Sequence, residues 1–111
     1  MKLKDLAERL ALDAFQPRGN FDVEVSGGYT GDLLSDVVGN ARERNLWFTC
    51  QTHENVVAVA KLKVLAAVVL VNGREPDPEA LERAQEEQVL IFGTKKSAFA
   101  ISGALHDLIG D

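Results

Sequence analysis

The sequence predicts an α/β domain: one helix, then four strand–helix units forming a four-stranded, mainly parallel sheet with helices on both faces. Three observations carry that expectation. Short apolar runs alternate with stretches of helical periodicity, the signature of serial crossover units. Strand starts fall near residues 22, 46, 66 and 89, an even spacing with little shared sequence. The run Ala66-Ala67-Val68-Val69-Leu70-Val71 is apolar at every position, as a central strand covered on both sides must be.

The elements follow in order. Leu3, Leu6, Ala7, Leu10, Ala11 and Ala14 share one helical face. Gln16-Pro17-Arg18-Gly19-Asn20 ends that helix. Phe21-Asp22-Val23-Glu24-Val25 alternates apolar and polar and reads as the first strand. Gly27-Gly28-Tyr29-Thr30-Gly31 reads as the loop behind it, and residues 32–44 as a helix with Leu33, Leu34, Val37, Val38 and Ala41 turned inward. Leu46-Trp47-Phe48-Thr49-Cys50 is the second strand. Thr52 is the expected cap of a helix over 54–63 whose Val56, Val57, Val59 and Ala60 make it apolar on most sides. After the third strand, Asn72-Gly73 turns the chain, and Pro78 suits the first turn of the next helix, where its missing N–H costs nothing. Val89-Leu90-Ile91-Phe92 is the fourth strand, and a last helix over 97–109 buries Ala98, Ile101, Leu105, Leu108 and Ile109.

Composition narrows the function classes. The 111 residues are 46% hydrophobic and 26% charged, the balance of one globular domain over 1–111. No apolar run approaches the ~20 residues of a spanning helix. The start, Met1-Lys2-Leu3-Lys4, lacks a secretory core. The single Cys50 cannot form an internal disulfide and fits a reducing cytoplasm. Seventeen acidic side chains against twelve basic ones give −5, without a basic cluster, which argues against nucleic acid. Residues 75–87 carry six acids and Arg83, and read as the solvated face of one helix.

Parallel strands send their C-terminal loops to one edge, so a binding site belongs there. The glycine-rich first loop and the helix behind it could meet an anion, although neither phosphate-loop spacing is present. The plainer reading is that Asp32 caps its own helix. Gly93-Thr94-Lys95-Lys96-Ser97 is the better anion cradle, with two cations, two hydroxyls and a helix start. The candidate ligand contacts are Gly31 and Gly93 through backbone, Thr30, Thr52, Asn72 and Thr94 through polar side chains, Lys95 through charge pairing and His53 through a titratable ring, with Asp32 included although its negative charge falls where a phosphate would sit. His53 paired with Asp32 would be the route to a small enzyme. No Ser/His/Asp or Cys/His constellation and no metal-ligand spacing is present, so no catalytic, metal or cofactor residue is assigned.

Gly28-Tyr29-Thr30-Gly31-Asp32-Leu33-Leu34-Ser35-Asp36-Val37 resembles the first strand–helix junction of DRTGG domains, and Gln51-Thr52-His53-Glu54-Asn55-Val56-Val57 the second. Val69-Leu70-Val71-Asn72-Gly73, Pro76, Pro78-Glu79, Leu81, Ala84 and Val89-Leu90-Ile91 are similar to that family's second half. The family is similar to the N-terminal domain of HPr serine kinase/phosphatases. Short members of this form look like those encoded beside iron hydrogenases. The resemblance implies an α/β sandwich, a non-catalytic regulatory or accessory role, a tendency to homodimerise, and a larger redox enzyme as a partner. It supplies no catalytic residue. Two departures bear on a ligand: Val71-Asn72-Gly73 stands where threonine–glycine–glycine is common, and Lys95-Lys96 where an acidic residue is common. A serine kinase would also need a phosphate cradle, a metal-binding carboxylate and a base that these residues do not furnish. The expectation is a regulatory domain binding a small anionic metabolite or nucleotide, with a pure interaction module as the alternative.

Overall fold

The computed structural model of the chain describes residues 1–110. Among them the helices are α1 (Leu3–Arg9), α2 (Leu34–Asn40), α3 (Asn55–Lys63), α4 (Pro78–Glu87) and α5 (Ala98–Ile109). The strands are β1 (Asp13–Ala14), β2 (Gly27–Thr30), β3 (Asn45–Thr49), β4 (Ala67–Leu70) and β5 (Ile91–Gly93). The sheet order is β1-β5-β4-β3-β2. β2, β3, β4 and β5 are mutually parallel, and β1 runs antiparallel to β5. The expected four-stranded parallel sheet is therefore the inner part of a five-stranded mixed one. No helix of the described residues is long and apolar enough to cross a membrane.

Three crossovers each advance one strand in the same direction. Crossovers of one hand then place their helices on the same face. Accordingly Val37 of α2, Val56, Val57, Val59 and Ala60 of α3 and Ala84 of α4 pack with Trp47, Val68, Leu70 and Ile91. On the other face Leu3 and Leu6 of α1 and Ile101 and Leu105 of α5 pack with Leu46, Phe48, Ala67, Val69 and Phe92. Strand alternation explains the division: Trp47 and Phe48 are neighbours in sequence and belong to opposite layers. The all-round apolar character of α3 also has its cause here. It lies between α2 and α4 above the sheet, so its valines are buried and offer no free docking face.

The first strand lies elsewhere than expected. Residues 21–25 alternate, yet they bond to the chain start: Leu3 N–H donates to the Val23 carbonyl at 2.9 Å, and Val25 N–H to the Met1 carbonyl at 3.0 Å. The sheet instead takes Gly27–Thr30, the stretch read as a loop. Gly28 permits this. A Cβ there would come within 2.8 Å of Leu105 Cδ2, so any larger residue would have to displace that side chain of α5. The first helix also stops at Arg9 and not near Ala14, because Asp13 and Ala14 leave it to pair with Gly93 and Phe92.

β1 closes the β5 edge with help from a side chain. Phe15 N–H donates to the Ile91 carbonyl at 2.9 Å. The buried Gln16 then continues the ladder with its amide, donating to the Val89 carbonyl and accepting from Ile91 N–H. Replacing Gln16 by Leu keeps the volume and strands both backbone groups. Urea unfolding should show a loss of about 2 kcal/mol. A loss below about 0.5 kcal/mol would mean that the edge does not depend on this amide.

Candidate functional site

Four parallel strands end on one rim, at Thr30, Thr49, Leu70 and Gly93, and their following turns lie side by side. The turns are tied to one another. Gly31 N–H donates to the Phe48 carbonyl at 3.1 Å, and the Gly31 carbonyl accepts from Trp47 Nε1 at 2.8 Å. Asn72 and Gly73 donate their N–H groups to the Lys96 and Thr94 carbonyls at 2.9 and 2.8 Å. Asn72 adopts a left-handed φ of +60°, which Asn tolerates better than most residues.

Asp32 is the electrostatic centre of the first two turns. Its Oδ1 accepts from Thr49 Oγ1 at 2.7 Å and from Cys50 N–H at 2.8 Å. Its carbonyl accepts from Gln51 Nε2 at 2.9 Å. The Cys50 amide above all, then the Thr49 hydroxyl, the Cys50 thiol and the Arg74 charge, hold this carboxyl below the ordinary range against partial burial. Asp32 therefore does not cap its own helix. α2 begins after Leu33 with no side-chain cap, and Asp32 instead pins the β2 turn onto the end of β3. The same contact, with burial as the larger cause, pushes the Cys50 thiol up and keeps it protonated, a poor nucleophile. Cys50 lies one residue beyond β3, half-buried, and not within the strand.

Thr52 also differs from its expected role. The cap position of α3 is Glu54, without a side-chain bond. Thr52 Oγ1 donates to Asp77 Oδ1 at 2.9 Å, and Asp77 N–H to the Thr52 carbonyl at 3.0 Å, joining the β3 and β4 turns. His53 is exposed, and its Nδ1 accepts from Asn55 N–H at 3.1 Å. With Asp32 engaged at Thr49 and Cys50, no hydrogen bond brings these two into an acid–base pair. Thr30 Oγ1 lies 2.7 Å from Ser102 Oγ of α5. Gly93 is buried, and a Cβ there would meet the Phe15 ring at 2.9 Å, so the glycine serves packing under the rim. Thr94 is buried too; its Oγ1 accepts from Lys96 N–H, and Ser97 caps α5 by accepting from Ala100 N–H. Lys95, Lys96 and Arg74 are exposed.

The rim thus brings Gly31, Asp32, Thr52, His53, Asn72, Thr94 and Lys95 along one line of turns, with Thr30 and Gly93 at strand ends beneath it. Sequence reading missed Arg74, which approaches Asp32 from the β4 turn, and Thr49 and Gln51, its partners. Nothing in the local pattern marks them, because each is paired to a residue more than fifteen positions away.

A broad groove of about 1300 Å³ lies beside the rim, between the open edge of β2 and α5. Thr30, Phe48, Phe99, Gly103 and Leu105 are among its walls. On the other side of β2 the Tyr29 hydroxyl donates to Asp36 Oδ2.

No family model matches the sequence, and no curated protein matches it. Among solved structures the chain is similar to the CBS and DRTGG domains of the regulatory region of the Clostridium perfringens pyrophosphatase, solved in complex with its activator, diadenosine tetraphosphate. The TM-score is 0.68 at 14% identity over 94% of this chain. This chain spans 45% of that one. The likeness establishes a shared fold.

Two outcomes follow from the electrostatics. A carboxyl held below its free value of 3.8 contributes stability that is complete above that pH and lost as pH falls through the lower folded value. Asp32→Asn should therefore cost about 1 kcal/mol at neutral pH, its carboxylate being partly solvated, and the gap to wild type should close in acid. An equal gap at all pH values would exclude charge as the cause. Tyr29, the one tyrosine of the chain, is pushed up to about 12 by the hydrogen bond to Asp36, with lesser contributions from burial and the Asp36 charge. Phenolate absorbance should rise near 12, and Asp36→Asn should return it toward 10.

Proposed function

We propose that this chain is a non-catalytic regulatory or accessory domain of the reducing cytoplasm, working as a homodimer, which binds a small anionic metabolite or nucleotide across the strand C-terminal rim. The observation that carries this reading is the gathering of Arg74, Lys95 and Lys96 on two adjacent, hydrogen-bonded turns of a chain whose net charge is −5. Three exposed cations beside the capped start of α5 favour a polyanion at close range. Asn72, exposed on the same rim, would discriminate among anions through its side-chain amide. The structural neighbour is a regulatory region complexed with a dinucleotide polyphosphate, which supports phosphorylated nucleotides as the first class to test. A protonated Cys50 thiol and a His53 without a carboxylate partner support a binding role over a catalytic one.

A second reading is a pure interaction module that docks on a larger redox enzyme of hydrogenase type. Phe99, 91% exposed on the wall of the β2–α5 groove, favours it. The readings separate by thermal shift against inorganic phosphate, mononucleotides and dinucleotide polyphosphates. At one hundred times its dissociation constant a ligand specific to the folded state adds about 2.7 kcal/mol. The Lys95→Ala, Lys96→Ala double variant should abolish the shift while folding normally, since both side chains are exposed. No shift with any of these anions would remove the rim site and leave the interaction reading.

A further inference from the structure

The two edges of the sheet are finished differently. One is β1, two residues long, where the Gln16 amide continues the ladder to β5. The other is β2, which pairs with β3 on one side alone. Edges are ordinarily protected by shortness, Pro, Lys, a bulge or a covering element. Residues 27–30 hold neither Pro nor Lys, and the space beside them is the groove of about 1300 Å³. Gly31 N–H donates to the Phe48 carbonyl, so Gly31 and Tyr29 turn their backbone groups to β3. Those of Gly28 and Thr30 alternate with them and turn outward. No other element of the described residues hydrogen-bonds to these outward groups.

Side chains give the groove two sides. A Cβ on Gly28 would point at Leu105, and Thr30 Oγ1 lies 2.7 Å from Ser102 Oγ, so both residues face α5. Tyr29 faces the other layer, where its hydroxyl meets Asp36. The α5 side is apolar, lined by the buried Phe48 and Leu105 and by Phe99, which is 91% exposed. At the base, the α2–β3 turn contributes Arg42 and Arg44 against Glu43, with Asp107 on the α5 wall. Neither arginine is ion-paired among the described residues.

We infer that β2 takes up an extended segment of another protein as a sixth strand, by β-augmentation. Gly28 and Thr30 offer donors and acceptors together. A small anion brings acceptors alone and leaves both carbonyls unmet. A helix spends its backbone groups internally. An extended backbone matches both. Its side chains alternate: apolar ones lie against Phe48 and Phe99, and polar ones face Tyr29 and the α2–β3 turn, where the two arginines favour a carboxylate. This deepens the interaction reading above and rests on it, while the anion rim stands apart.

Random peptides displayed on phage and selected against the full chain supply the probe. An enriched peptide, made synthetically, should bind saturably. Methylating its backbone nitrogens one at a time should weaken binding about tenfold or more at every second position and little between them. Thr30→Pro removes one outward N–H at a sheet edge, where proline is tolerated, and should cost a similar factor, whereas Thr30→Val should not. Phe99→Asp should weaken binding as well. Should Thr30→Pro fail to fold, the methylation pattern on the wild-type protein decides alone. Loss without the alternation, or binding indifferent to Thr30→Pro in the folded variant, would overturn the edge and leave the interaction reading standing. No enriched peptide would also overturn the edge, and the anion thermal shift decides the interaction reading separately. A two-chain mass in light scattering that Thr30→Pro converts to one chain would seat a second copy on β2 and overturn the foreign segment.

Discussion

Burial of the inner strands on both faces is the constraint from which the rest descends. Trp47, Val68, Leu70 and Ile91 must be covered on one side, and Leu46, Phe48, Val69 and Phe92 on the other. Each such side chain contributes about 1.5–3 kcal/mol when it leaves water. A parallel sheet meets that demand only with helices above and below it, and the three one-step crossovers supply α2, α3 and α4 to one face alone. The opposite face would be bare without α1 and α5, which come from the two ends of the described chain. Strand direction is fixed by the same arrangement, and with it the meeting of the four turns on one rim.

The rim is held by a few long-range hydrogen bonds. Asp32 ties the β2 turn to β3, Thr52 and Asp77 tie the β3 turn to the β4 turn, and Asn72 and Gly73 tie the β4 turn to the β5 turn. Most polar groups of the rim are thereby satisfied among themselves. Arg74, Lys95 and Lys96 remain on the outside as exposed cations. Such a surface presents positive charge over a hydrogen-bonded base, and the groove at β2 is a separate apolar surface a short distance away.

Much of this architecture was legible in the sequence, for identifiable reasons. The continuous apolar run at 66–71 could only be a doubly covered strand, and Pro78 marked the start of α4. The apolar face of α5 fell at helical spacing, and α3 read as apolar on most sides. What escaped reading was set by distant partners. Gly27–Thr30 is a strand because β3 offers it a ladder and Gly28 makes room for Leu105, neither of which shows in a local pattern. Residues 21–25 alternate like a strand but spend their backbone bonds on Met1 and Leu3. The β1 edge and Gln16 answer to β5, more than seventy residues away. Asp32 looked like a helix cap because a carboxylate before a helix usually is one. Its cross-strand partners, Thr49 and Cys50, were visible only once β2 and β3 stood side by side.

The central claim is that ligand recognition is concentrated where the parallel strands end. Backbone amide NMR during titration with a nucleoside polyphosphate tests it most directly. Saturable shifts should be confined to residues 31–32, 51–53, 72–75 and 94–97, drawn from four turns that are far apart in sequence. Shifts restricted to the β2–α5 groove, or spread without saturation over exposed cations such as Arg42 and Lys61, would contradict it.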